Sequence, residues 1–221
     1  PAKGQYGDLK HADAVIVCVS TPSSENGFCD VSNVMDAIDA GRDVPYLIKS
    51  TLSVEGWKLI TDHCKNKNIC YSPEFLRADH WQSDALLQDH VYLGGKETQF
   101  WSSIMINALG KITIEHGQPQ ELIVAKQLRN CFLALKVTYF NQVKDFCDAQ
   151  EIDFDQVRKF ITDDHRINDS HSTVTKEKGY GGHCFPKDML ATIRSAQVAG
   201  SNITILEEAD VYNQKVRKGI T

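Results

Sequence analysis

Residues 13–22 read Asp13-Ala14-Val15-Ile16-Val17-Cys18-Val19-Ser20-Thr21-Pro22. Ala14 to Val19 are all apolar, and most are β-branched. Because the run is continuous rather than alternating, it predicts a strand buried on both faces, as in a parallel sheet under helices. Outward from it the pattern repeats at residues 46–51, 69–73, 91–95 and 112–114, with helical periodicity over 31–40, 54–65 and 101–109. Strands alternating with helices at this spacing specify an α/β domain with a mostly parallel sheet, here residues 1–117.

The second region, residues 118–221, reads as all-helical. Pro119 suits the first turn of a helix, Glu121 favours its N-terminus, and neither Gly nor Pro interrupts before residue 149. Val124, Leu128, Cys131, Leu135, Tyr139, Val143 and Phe146 form one stripe along this helix. Lys126, Asn130, Leu133, Val137 and Phe140 form a second. Two stripes on so long a helix predict a homodimer through residues 120–149. Shorter helices are expected at 154–161, 188–199 and 203–217.

Between them lies Gly179-Tyr180-Gly181-Gly182-His183-Cys184-Phe185-Pro186-Lys187-Asp188. Its glycines permit a tight turn with close ligand approach, and they present one thiol at the mouth of a helix. A helix N-terminus and the nearby cation of Lys187 both favour a thiolate, the form in which cysteine is a nucleophile.

This decapeptide resembles the active-site segment Gly-x-Gly-Gly-x-Cys-x-Pro-Lys-Asp of the nucleotide-sugar 6-dehydrogenases, the UDP-glucose and GDP-mannose dehydrogenases. Further segments match in order: Val-x-Thr-Pro at 19–22, Lys-Ser-Thr at 49–51, Ser-Pro-Glu-Phe-Leu-Arg at 72–77, Lys-x-x-x-Asn at 126–130 and Asp-x-Arg-Ile at 164–167. The resemblance implies a partial doubly wound, Rossmann-like sheet followed by a helical central and dimerisation domain. It implies a four-electron, NAD-dependent oxidation of a nucleotide sugar through a thiohemiacetal and a thioester on Cys184. By the same resemblance Thr21, Ser50, Thr51 and Lys187 approach the cofactor, and Glu74 with Thr51 guides water. Lys126 and Asn130 stabilise the oxyanion, and Asp188 pairs with charges around the thiol. Glu74, Phe75, Leu76, Lys126, Asn130 and Gly181 contact the substrate, and Arg166 reaches the substrate of a neighbouring subunit. The polar residues 168–178 become a substrate-covering loop.

The chain departs from the family at Ala78 and Ile123, where acids are usual. No Gly-x-Gly-x-x-Gly follows a strand anywhere, so the sequence suggests that the first mononucleotide-binding half and the C-terminal nucleotide domain are missing, and that NAD binds weakly. A dimerising sugar-nucleotide binder without hydride chemistry is therefore the alternative. A thiol hydrolase pairing Cys184 with His183 or His165 is a third reading, without an orienting partner at recognisable spacing.

Composition excludes other classes. With 42% hydrophobic and 24% charged residues the chain is neither disordered nor a membrane protein. A net charge of −5 without basic runs argues against nucleic acid. Ala14 to Val19 is far too short to span a bilayer. Seven cysteines without a C-x-x-C pair suggest reduced thiols, no metal site and a cytoplasmic location.

Overall fold

Each short apolar run becomes a strand in the computed structural model, which describes residues 9–24, 26–77 and 80–219. The strands are β1 (Val15–Val17), β2 (Tyr46–Ile48), β3 (Ile69–Tyr71), β4 (His90–Gly95) and β5 (Thr113–His116). They make one sheet in the order β1-β2-β3-β4-β5, parallel except between β3 and β4. Alternate residues of β2 and β3 serve two cores. Tyr46, Ile48 and Tyr71 pack with Val34, Ile38 and Ile60, whereas Leu47 and Cys70 pack with Leu93 and Trp101. Burial on both faces explains why these strands carry no polar alternation. β1 departs from that expectation, because Ile16 is 49% exposed. It lies at the sheet edge, and only its Val15 and Val17 face joins the first core.

Helices α1 (Ser32–Asp39) and α2 (Val54–His63) supply the first core, and α4 (Thr98–Leu109) the second. Ser53 caps α2 by accepting a hydrogen bond from the Gly56 N–H at 3.0 Å, an arrangement worth about 1 kcal/mol. The sequence reading missed α3 (Trp81–Leu86), a short helix with no buried residue and so no apolar periodicity to betray it. Ala78, one of the departures from the family pattern, lies outside the described residues.

Helix α5 spans Pro119–Ala149, and the Gln118 N–H donates back to Glu121 Oε2 at 2.9 Å as the first-turn signals predict. The chain divides inside it, into units Pro1–Lys126 and Gln127–Thr221. The division falls there because Ile123 and Leu122 pack into the first core. Burial also explains why position 123 holds an isoleucine and not an acid: its side chain is fully buried in that core.

The second unit adds α6 (Phe154–Thr162), α7 (Cys184–Val198) and α8 (Thr204–Arg217). Cys131, Ala134, Tyr180, Met189 and Leu206 form one of its cores; Phe140, Cys147 and Phe154 form another. The two stripes of α5 fare differently. Lys126, Asn130 and Phe140 of the second are buried, whereas of the first Cys131 is buried but Val124, Leu128, Tyr139 and Phe146 are exposed in the single chain. Helix α7 begins four residues before its predicted start at 188. Pro186 is tolerated as its third residue, because an N–H in the first turn has no intrahelical acceptor to lose. Among the described residues no helix is long and apolar enough to cross a membrane.

Candidate active site

In the first unit the loops leaving β1, β2 and β3 gather at the carboxyl edge of the sheet, the usual ligand edge of an open α/β fold. Two of the predicted hydroxyls lace these loops together. Ser50 Oγ donates to the Val19 carbonyl at 2.8 Å and accepts from the Val19 N–H at 2.9 Å, and Thr21 Oγ1 donates to the Thr51 carbonyl at 2.7 Å. Both residues are buried, so their hydroxyls shape the edge. Thr51 differs: it is half-buried, and its own hydroxyl has no hydrogen-bond partner among the described residues. Glu74 Oε2 accepts the Leu76 N–H at 2.6 Å, which fixes the carboxylate within its own turn.

Sequence reasoning missed Lys49. Its ammonium lies 3.4 Å from Ser72 Oγ, and burial lowers its pKa, opposed by the charges of Cys18 and Glu74. A lysine amine thus stands among the three strand ends. The only signal was its place in the Lys-Ser-Thr segment, where only the serine and threonine had been assigned roles.

Lys126, the last residue of this unit, is 5% exposed. Its ammonium sits 5.4 Å from the centroid of Phe75, which in turn packs edge-on against Tyr92. Lys126 therefore meets the 74–76 segment through the face of an aromatic ring. Among the described residues no carboxylate pairs with it. A buried cation without an anion is a receptive site for negative charge.

In the second unit Cys184 is the first residue of α7 and is exposed, and Asp188 lies one turn on. Asp188 is 1% exposed and is held from two sides. Asn130 Nδ2 donates to its Oδ2 at 2.6 Å, and Lys187 Nζ to its Oδ1 at 2.7 Å. The sequence placed Lys187 beside the thiol and near the cofactor; in the structure its ammonium is bonded to Asp188. The turn before Cys184 is pinned by Asn141, whose Oδ1 accepts the Gly179 N–H, and by Asn213, which exchanges two hydrogen bonds with the backbone of Tyr180. Neither asparagine was singled out in the sequence, because each serves backbone groups far away in the chain.

Gly181 adjoins Arg217, whose guanidinium any Cβ there would crowd. Arg166 is exposed and closes on Asp164, with Nη2 2.5 Å from Oδ2. The 168–178 segment is tied down: Lys136 Nζ donates to the Asn168 carbonyl at 2.9 Å, and Arg158 donates to the buried Ser172 at 3.1 Å. His165 is almost fully exposed, and among the described residues no histidine hydrogen-bonds Cys184. The thiol-hydrolase reading thus finds no base here.

Residues 3–109 match the model of the UDP-glucose/GDP-mannose dehydrogenase family, NAD binding domain, and residues 121–215 match the central domain of the same family. A UDP-glucose 6-dehydrogenase of Rickettsia felis is 30% identical over 199 residues, covering 83% of this chain and 44% of that protein. One from Pseudomonas aeruginosa is 27% identical, over 95% of this chain and 50% of its own length. Among solved structures, a UDP-glucose dehydrogenase from Pyrobaculum islandicum superposes with a TM-score of 0.80 at 25% identity, over 93% of this chain and 51% of that one. The chain spans about half the length of the curated relatives it matches.

Proposed function

Because the chain belongs to the UDP-glucose/GDP-mannose dehydrogenase family, we propose that it oxidises the primary alcohol of a UDP-glucose-like nucleotide sugar to the carboxylate, with NAD as oxidant and Cys184 as nucleophile. The observation that carries this reading is the exposed thiol at the start of α7, one turn from a buried aspartate locked by Asn130 and Lys187.

NAD fits the first unit on its own chemistry: the carboxyl edge of the parallel strands is laced by Thr21 and Ser50, and the Thr51 hydroxyl has no partner among the described residues. When bound, NAD supplies a hydride acceptor in each of two successive oxidations. The protein's residues do the rest. Cys184 sulfur adds to the aldehyde carbon, forming a C–S bond and an alkoxide. The free aldehyde is a poor hydride donor, whereas this adduct is alcohol-like again. Lys126, buried and without a carboxylate partner among the described residues, is suited to the developing negative oxygen. Asn130 has two amide N–H groups; one holds Asp188, and the second, without a partner among the described residues, is placed to serve the oxyanion. Loss of hydride from the adduct leaves a thioester. Water guided by Glu74 and Thr51 then adds its oxygen to the thioester carbon and the C–S bond breaks, releasing the carboxylate and the thiolate while the two protons of the water pass to solvent.

The chain with UDP-glucose and NAD is expected to reduce two NAD per uronate formed, and Cys184→Ala to slow this by roughly three orders of magnitude or more. Turnover unaffected by Cys184→Ala overturns the assignment. UDP-glucose binding in calorimetry without any NAD reduction supports instead the reading of a sugar-nucleotide binder.

We further infer that the partner is a second copy of this chain. Val124, Leu128, Phe132, Tyr139 and Phe146 line an exposed face of α5, and beside it lies a cavity of about 770 Å³ edged by Ile161, Ile167, Ile205 and Val211. A long apolar helix face is self-complementary across a two-fold axis. Arg166 borders the same cavity, which suits the sequence expectation that it serves a neighbouring subunit. Light scattering at tens of micromolar should give twice the 24.8 kDa chain mass, and Phe132→Glu should halve it. A monomer for the unaltered chain counts against the pairing.

A further inference from the structure

At the opposite, amino-end edge of the sheet, Asp39, His63 and Cys64 bring a carboxylate oxygen, an imidazole nitrogen and a thiol sulfur within 4.8 Å of one another. Asp39 ends α1, His63 ends α2 and Cys64 is the residue that caps α2. Tyr46, the first residue of β2, marks the edge, because its hydroxyl donates to the Ile38 carbonyl of α1 at 3.2 Å. Thr51 and Glu74 lie past the other ends of the strands. The cluster therefore belongs to no part of the site described above.

We propose that Asp39, His63 and Cys64 form a binding site for one divalent ion of borderline softness, of the zinc class, clipping the C-terminal ends of α1 and α2 together. Three facts support it. The donor set mixes thiolate, imidazole and carboxylate, each an established ligand of zinc, with a fourth tetrahedral position left for water. Both exposed ligands already face each other: His63 Nε2 lies 2.8 Å from Asp39 Oδ2. Tetrahedral bonds of about 2 Å hold such ligands a little over 3 Å apart, so the pair opens by only a few tenths of an ångström to admit the ion. Finally, both helices present their C-terminal ends, where the partial negative charge of the last carbonyls favours a cation. The nearby Lys67 is occupied elsewhere, donating to the Arg42 carbonyl at 3.2 Å. Binding displaces the Cys64 thiol proton to buffer and forms the metal–sulfur bond.

The site is tested on the complete chain, stripped with a chelator and carrying Cys18→Ser and Cys184→Ser so that no exposed thiol competes. Cobalt(II) serves as the coloured probe, and zinc is titrated against a chromophoric chelator. The expected result is one equivalent of cobalt giving a sulfur-to-metal charge-transfer band with tetrahedral visible bands, both displaced by zinc. Cys64→Ser should abolish the charge-transfer band. His63→Ala and Asp39→Asn, both surface changes, should each weaken zinc binding by at least about tenfold, the scale already set by outer-shell partners. No saturable band at one equivalent, or a band that survives Cys64→Ser, overturns the proposal and leaves a plain His63–Asp39 hydrogen bond.

Discussion

Asp188→Ala should destabilise the second unit by about 3 kcal/mol, the scale of breaking a buried ionic contact by removing one partner. The aspartate is 1% exposed and accepts from both Asn130 and Lys187. Alanine leaves the Asn130 amide buried without the carboxylate it holds, where it cannot fully regain water, and removes the bond between the carboxylate and the Lys187 ammonium. Hydrogen exchange gives the local readout. Amide protection in peptides from α7 should fall on the order of a hundredfold, the equivalent of that energy. Asp188→Asn keeps the shape and one acceptor, so it should recover part of the loss. Protection in α7 unchanged by Asp188→Ala would mean that the buried carboxylate is not what anchors this helix beneath Cys184.

The α/β class and the long helix were legible because they rest on local periodicity. Burial of Tyr46, Ile48 and Tyr71 on one face and Leu47 and Cys70 on the other removes all polar alternation, and that absence is visible in sequence. What stayed hidden depends on contacts between distant residues. The start of α7 was placed late because Pro186 reads as a barrier, although in the first turn it costs no hydrogen bond. Exposure of Ile16 follows from its strand lying at an edge, which its own residues do not record. Asn141 and Asn213 hold the glycine turn from positions 38 and 33 residues away. The Asp39, His63 and Cys64 cluster escaped the cysteine count for the same reason, because Asp39 joins the adjacent His63 and Cys64 from 24 residues away. The motif residues themselves were readable as chemistry, but not their partners. Ser50 and Thr21 read as cofactor contacts, and their hydroxyls also lace the loops together through hydrogen bonds to backbone groups distant in the chain.

Limiting iodoacetamide near pH 8 should alkylate Cys184 ahead of the other six cysteines, by a margin that access and ionisation set together. Cys29, Cys64, Cys70, Cys131 and Cys147 are buried, which withholds them from the reagent in the folded chain. Burial also pushes the thiols of Cys70 and Cys131 up to about 11, so that only about one molecule in a thousand carries the reactive thiolate at pH 8. Cys18 is the informative competitor, because it is exposed as a residue. Its sulfur is nonetheless disfavoured as an anion, since burial around the thiol raises its pKa, Lys49 opposes this and Glu74 adds to it. Cys184 stands on the first residue of α7, open to the reagent and with no hydrogen bond to hold its sulfur among the described residues. Peptide mapping against time separates the two, and UDP-glucose should slow the reaction at Cys184 if that thiol belongs to the sugar site. Labelling of Cys18 first would show that exposure alone governs these thiols. Cys184 labelled first, but at a rate indifferent to UDP-glucose, would leave a reactive cysteine without the substrate that its neighbours Asn130 and Asp188 are proposed to serve.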